Sequence, residues 1–341
     1  MRTVFKTSYD ADINLFRHGA QLGWYVLLLA IALALPLVMS SFALGEMTNL
    51  LIWAIACMGL MILVGQTGQA SLGHAAFLAI GCYANVLLQL NLGLPFIVSF
   101  PLAGLIAGAA GALIAMPMTR LHGIYLAIGT LAIAILTDDL IVLAEPVTNG
   151  VIGLFAPDID IFGFSFNRYA NPNGLYYLIL AVTLLVVYGY RNLQRSPLGR
   201  SFAAIRDSEI SAQAMGVNVA RTKAVAFGIS AGVTGLAGAL MGHFAGIFNN
   251  ETFNIIISIQ LLLAIVIGGL GTIHGAFFGA AVVALLPQAI SMSRDFLNQF
   301  LGGGSIAIPG LEAAIFGAIL IGFILFEPTG IYGRWGKIRT F

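Results

Sequence analysis

The sequence predicts an all-α membrane protein: a polytopic bundle of about 10 transmembrane helices, some broken by glycine, with both termini cytoplasmic. Three observations lead there. Of the 341 residues, 59% are hydrophobic and 9% charged, against roughly 25% charged in an ordinary globular domain. Such a chain cannot cover a water-facing surface, so lipid is the solvent for most of it. Apolar runs of about 20 residues, the length that crosses a bilayer as a helix, recur along the whole chain. The Lys and Arg residues between those runs sort to one side. A net charge of +1 argues against a nucleic-acid partner, and the 41 glycines suit close helix packing and broken helices in a bilayer.

Residues 1–21 read as a cytoplasmic leader holding Arg2, Lys6 and Arg17. The apolar run that follows is too long for a signal-peptide core and lacks a small-x-small cleavage site, so it reads as a retained span. Ten spans are expected, at about 22–44, 47–64, 70–90, 94–118, 122–144, 174–190, 222–247, 256–271, 274–291 and 307–326. They make one transmembrane domain over 22–331, with a basic cytoplasmic tail over 332–341. With the N-terminus inside, Arg2, Lys6, Arg17, Arg120, Arg191, Arg195, Arg200, Arg206, Arg221, Lys223, Arg334, Lys337 and Arg339 all fall inside. Only Arg168 and Arg294 fall outside, which is the asymmetry that sets orientation. The acids Glu46, Glu145, Asp158, Asp160, Glu251 and Asp295 lean outward, either as a docking surface or as plain solvated charge. The outer segment 145–173, with Pro146, Pro157 and Pro172, is expected to pack over the mouth of the bundle.

The inner loop 191–223 holds eight of the 29 charged residues. Ser196 before Pro197 is an N-cap signal with proline in the first turn, and Gly216 is a helix stop. One bent or two short helices are expected between them, with Phe202, Ala203, Ile205 and Met215 as apolar contacts. A short helix of mixed charge around an apolar patch suits a groove on a soluble partner. The alternative is a helix resting on headgroups, which Asp207 and Glu209 oppose.

The segment 65–81 breaks its helix at Gly65, Gly68 and Gly73, with Gln66, Thr67, Gln69, Ser71 and His74 between. Irregular backbone at membrane depth is tolerated only where protein buries it or a wet cavity needs it. Two readings stay open: a substrate pathway or gate using Gln66, Gln69, Ser71 and His74, or close packing with interhelical hydrogen bonds. Gly268, Gly269 and Gly271 form a second break that hints at an internal repeat, with His274 as a packing residue. Asp138 and Asp139 stand near the outer end of a span, where an interfacial position is cheaper than a proton relay. Cys57 and Cys82 read as small buried hydrophobes.

Catalytic signals are missing. No phosphate loop is present, since Gly336-Lys337 lacks the rest of the pattern, and the five histidines form no metal cluster. No cofactor or metal is expected on this chain, and no catalysis.

The run Ser196-Pro-Leu-Gly-Arg-Ser-Phe-Ala-Ala-Ile-Arg-Asp-Ser-Glu-Ile-Ser-Ala-Gln-Ala-Met-Gly-Val217 resembles the cytoplasmic loop of LivM-type permeases of branched-chain amino acid ABC importers. Gly65-Gln-Thr-Gly-Gln-Ala-Ser-Leu-Gly-His-Ala-Ala-Phe77 resembles that family's glycine-polar signature. Leu262 to Gly275 matches a third segment and Asn149 to Leu154 a fourth, so the likeness covers roughly 60–330 in order. The broader Glu-Ala-Ala…Gly motif of ABC permeases is held loosely, with Ile210 six residues before Gly216 and Glu209 one place off. The resemblance implies a non-catalytic permease subunit in a bacterial inner membrane, forming half of the path for leucine, isoleucine and valine. It implies a second, LivH-type permease, two cytoplasmic ATPase subunits that consume the ATP, and an extracytoplasmic solute-binding protein. On that basis Arg200, Phe202, Ile205, Arg206, Asp207, Glu209, Met215 and Gly216 are expected to couple to the ATPases. Urea, short amides or other amino acids are the alternative cargo, and an ion-coupled carrier is the alternative class.

Overall fold

The computed structural model describes residues 19–119, 121, 123–161 and 163–300, with scattered positions between 314 and 333; side chains are described from Gly23 to Ser293 in the main stretch. Nearly all of the expected leader and of the tail and most of the tenth span 307–326 lie outside the described residues. In order come α1 (Gly19–Val38), α2 (Ser41–Met61), α3 (His74–Leu92), α4 (Phe96–Met118), α5 (Ile124–Leu143) and the single turn α6 (Glu145–Thr148). Short strands β1 (Leu154–Phe155), β2 (Ile159–Ile161) and β3 (Phe164–Phe166) precede α7 (Pro172–Arg195), α8 (Pro197–Asp207), α9 (Glu209–Ala214) and α10 (Val219–Ala245). Strand β4 (Ile247–Phe248), a 3-10 turn (Asn250–Phe253), α11 (Ile255–Gly268) and α12 (Ile273–Phe300) follow.

Among the described residues, eight helices are long and apolar enough to cross a membrane, and α1 is a shorter apolar helix beside them. The core is α2 and α10, with α3 and α4 packed on α10. Small residues make that approach possible. A Cβ on Gly108 of α4 would stand 3.0 Å from the Gly228 carbonyl oxygen of α10, and one on Gly232 would stand 3.1 Å from that of Gly104. Lipid tails offer helices no hydrophobic reason to associate, so backbone contact of this kind carries the packing. The outer faces of α1, α4 and α5 remain lined with exposed Leu, Ile and Val.

The bundle has two distinct ends. The loop end carries α8 and α9; the strand end carries two ribbons, β1 antiparallel to β4 and β2 antiparallel to β3. These ribbons correct the all-helical expectation. Strands of two or three residues leave no periodic signal, and β1 finds its partner more than 90 positions away. Helix α2 also begins earlier than expected, because the Ser40 side chain accepts from Ala43 N–H and caps it. Glu46 therefore lies within α2, where Gln288 donates to it at 3.4 Å, rather than in a connecting loop. At α1, the hydroxyls of Tyr176 and Tyr177 donate to the Ala32 and Leu33 carbonyls at 2.9 Å each, holding it on α7.

Candidate functional site

The glycine-polar segment divides into two halves with different surroundings. Its distal half, Ser71 to His74, enters the middle of the bundle. Ser230 gives its single hydroxyl proton to the Gly59 carbonyl at 2.7 Å. It must therefore accept from His74 Nε2, 2.8 Å away. That assignment leaves Nδ1 as the acceptor for the Ser71 hydroxyl at 2.9 Å, so both ring nitrogens are used in one neutral tautomer. Leu72 N–H donates to Thr130 Oγ1 at 2.9 Å, and Ala75 N–H donates to Ser258 Oγ at 2.8 Å. The start of α3 is thus tied to α2, α5, α10 and α11. Ser230 stands 11 residues beyond Val219, about 16 Å along the axis at 1.5 Å per residue, so this knot sits near half-depth. Ser71, His74, Ser230 and Ser258 are all fully buried. A non-helical stretch survives there because protein groups satisfy it.

The proximal half lies at the loop end. Helix α2 finishes as a π-helical turn over Ile62–Gln66, a form that departs from the regular ladder. Thr67 then donates to Leu63 O at 2.5 Å, and Gln69 Nε2 donates to Thr67 Oγ1 at 3.0 Å. Gly68 turns the chain with φ of +70°, a conformation glycine adopts without a steric penalty. The second break meets the first at this point. A Cβ on Gly65 would come 2.7 Å from Gly271 N, and Gly271 N–H donates to the Met61 sulfur at 3.0 Å. Gly268 approaches the backbone of Gly275 and Gly279, closing α11 on α12, and Gly269 forms the turn with φ of +115°.

Arg206, at the end of α8, reaches into this contact. Its Nη1 donates to the Gly65 carbonyl at 3.2 Å while Nε and Nη2 hold Asp207 at 3.3 and 3.2 Å. Its Cγ lies 3.2 Å from where a Gly68 Cβ would be. Gln66 is buried here beside the Tyr190 hydroxyl of α7, and the two side chains interact without forming a hydrogen bond of good geometry.

The 191–223 loop folds as two short helices. Ser196 Oγ accepts from Gly199 N–H at 3.1 Å to cap α8, and Ser208 Oγ accepts from Ser211 N–H at 3.2 Å to cap α9. Gly216, φ +87°, ends α9: Gly216 N–H goes to Gln213 O and Val217 N–H to Ala212 O, each at 3.0 Å. That pattern is the Schellman motif. Phe202 and Ile205 are 0% and 2% exposed, facing the bundle, whereas Ile210 and Met215 are 84% and 85% exposed. The apolar groups offered outward therefore differ from those expected, except for Met215. Lys223, 3% exposed, pairs with Glu209 at 2.6 Å, fastening α9 to the base of α10. Arg200 stays on the outer face, donating to the Arg195 carbonyl at 3.1 Å.

The structure thus brings Gly65, Gln66, Gly68, Gly271 and Arg206 to one place and sets Ser71, Gly73 and His74 in another. Lone serines and threonines within apolar spans (Ser230, Ser258, Thr130) were missed as partners; their polar character in such helices was the available signal. His274 has its expected packing role, 3.0 Å from Tyr25 Oη and stacked on Tyr332 at 4.9 Å. Cys57 and Cys82 are free and buried. No group of three or more His, Cys, Asp and Glu side chains suited to a metal occurs among the described residues.

Comparison with known proteins identifies relatives by sequence. Residues 42–324 match the family described as branched-chain amino acid transport system / permease component. The chain is 32% identical over 297 residues to the high-affinity branched-chain amino acid transport system permease protein LivM of Salmonella typhimurium, covering 81% of this chain and 70% of that one. It is 32% identical over 299 residues to LivM of Escherichia coli, covering 82% and 70%. It is 24% identical over 295 residues to LivH of Escherichia coli, covering 83% and 91%. Among solved structures it is similar to PsaBC from Streptococcus pneumoniae in complex with Fab, with a TM-score of 0.46 and 15% identity over 91% of this chain and 99% of that one, too distant a likeness to build on. The chain, a multi-pass membrane protein, belongs to the branched-chain amino acid transport system permease family.

Proposed function

We propose that this chain is the permease subunit of an ATP-binding-cassette importer and forms half of the path for leucine, isoleucine and valine across a bacterial inner membrane. The loop end is cytoplasmic, as are both termini, and the chain crosses the membrane about ten times. A second, LivH-type permease supplies the other half of the path. Two ATPase subunits seat on α8 and α9, and an extracytoplasmic binding protein delivers solute at the strand end. The chain itself catalyses nothing and holds no cofactor.

One observation carries this reading: Arg206, on the loop that offers Ile210 and Met215 to the cytoplasm, grips the Gly65 carbonyl where the two glycine breaks touch. A movement of α8 and α9 driven by nucleotide is thereby transmitted to the ends of α2, α11 and α12. The buried Phe202 and Ile205 stiffen the linkage, so that Arg200, Asp207 and Met215 move with it, while Glu209, paired with Lys223, ties the unit to α10 beside the turn at Gly216. Gln66 and Gln69 border the inner gate, while Ser71, Gly73 and His74 form the fixed frame beside it.

Reconstitution with both permeases, the ATPases and the binding protein tests the assignment. ATP-dependent uptake of labelled leucine, absent without ATPase subunits, is expected. Uptake that follows an ion gradient with no ATP would overturn it.

A further inference from the structure

A third polar site lies toward the strand end, outside the loop-end contact. Tyr83 of α3 is 6% exposed, and its hydroxyl has no hydrogen-bond partner. Asp138 of α5 has one carboxyl oxygen buried and unpartnered, and the Oδ1 of Asn250 is in the same condition. The elements that carry these three residues meet. The 3-10 turn Asn250–Phe253 packs against both α3 and α5, and Asp138 is close enough for its charge to act on the Tyr83 phenol. Phe248 stands edge-on to Tyr83 with ring centres 5.0 Å apart and 6.3 Å from Phe253, giving the site an apolar wall.

A buried tyrosine hydroxyl ordinarily finds a partner, and buried polar groups left unmatched call for an explanation. Packing alone would be served by phenylalanine at 83. A carboxyl near the membrane surface with no ligand would turn both oxygens to water, yet one oxygen of Asp138 is turned inward. The set has a chemical sense: two oxygens that only accept, one of them on a carboxylate, and a phenol that can also accept. A group with several N–H donors and a positive charge satisfies all three at once. We infer that Tyr83, Asp138 and Asn250 form a recognition site for a primary ammonium group, the α-ammonium of the transported amino acid. The assignment deepens the importer reading and rests on it for the identity of that ligand.

Binding to the purified permease complex separates the two claims. Thermal unfolding is followed with L-leucine, with isopentylamine, which keeps the ammonium, with 4-methylpentanoate, which lacks it, and with sodium chloride. Leucine and the amine are expected to stabilise the wild-type complex, whereas the acid and sodium are not. Asp138→Asn should bind the amine about ten-fold more weakly, the scale of one lost charged hydrogen bond, and Tyr83→Phe should weaken it less. Tyr83→Phe, a smaller change, carries the test if Asp138→Asn fails to assemble. Equal stabilisation of wild type and both variants by the amine would overturn the site. Stabilisation by sodium alone would overturn it in favour of an inorganic cation. Stabilisation by isopentylamine with no uptake of leucine would leave the ammonium site standing and remove the branched-chain cargo.

Discussion

The two halves of the segment from Gly65 to His74 are neighbours in sequence and opposites in physical state. Ser71 and His74 are fully buried; Ser71 holds the His74 ring, and His74 engages the Ser230 hydroxyl of α10. At the other half, a π-turn ends α2, glycines touch backbone to backbone, and the buried Gln66 and Tyr190 side chains meet without a hydrogen bond of good geometry. Saturated hydrogen bonding favours one arrangement, because any shift leaves orphaned groups. An unsaturated contact is less committed, since a displaced arrangement can recover what the present one lacks. On the proposed reading, the difference separates a frame from a moving part within ten residues, the division that a gate next to a drive point would require.

Substitutions can break that contrast. The largest effect is expected at His74→Leu, which leaves the buried Ser71 hydroxyl without its acceptor and Ser230 without its donor, at a cost of roughly 1–3 kcal/mol. Thermal unfolding of the purified chain in detergent should register this as a clear drop in midpoint. A variant as stable as wild type would dissolve the distinction. Gln66→Leu should act in the opposite sense. It removes a buried amide that lacks a hydrogen bond of good geometry, so stability should hold within about 1 kcal/mol or rise while the uptake rate falls. Wild-type uptake from Gln66→Leu would make that residue mere packing.

How much of this was legible beforehand follows from the range of each signal. Ser196, Pro197 and Gly216 act on their own few residues, and the helix start and stop they announce are where the structure has them. The apolar runs mark most spans for the same reason, and the broken segments were visible as glycine with polar neighbours. Direction was not visible. Phe202 and Ile205 carry the same apolar character as Ile210 and Met215, and only the packing of α8 against the bundle decides which pair faces inward. Nor could spacing show that Lys223 would be buried against Glu209, that Ser230 would orient His74 from 156 residues away, or that the two glycine breaks would touch.

The smallest effect on the chain itself is expected at its outward face. Ile210→Ser with Met215→Ser should change stability by no more than about 0.5 kcal/mol, as exposed substitutions usually do, yet weaken ATPase binding in a pull-down titration. The paired change Phe202→Ser should do the reverse, harming the fold first. If both alter only stability, the outward face is not the docking face.

The central claim is that Arg206 transmits movement of the loop to the glycine contact. It is tested most directly by measuring ATP hydrolysis and leucine uptake together, in the same proteoliposomes, for wild type and Arg206→Ala. Loss of the bond to Gly65 should leave hydrolysis near wild type and raise the ATP consumed per leucine about ten-fold, the equivalent of about 1.4 kcal/mol of coupling. An unchanged ratio would contradict the account.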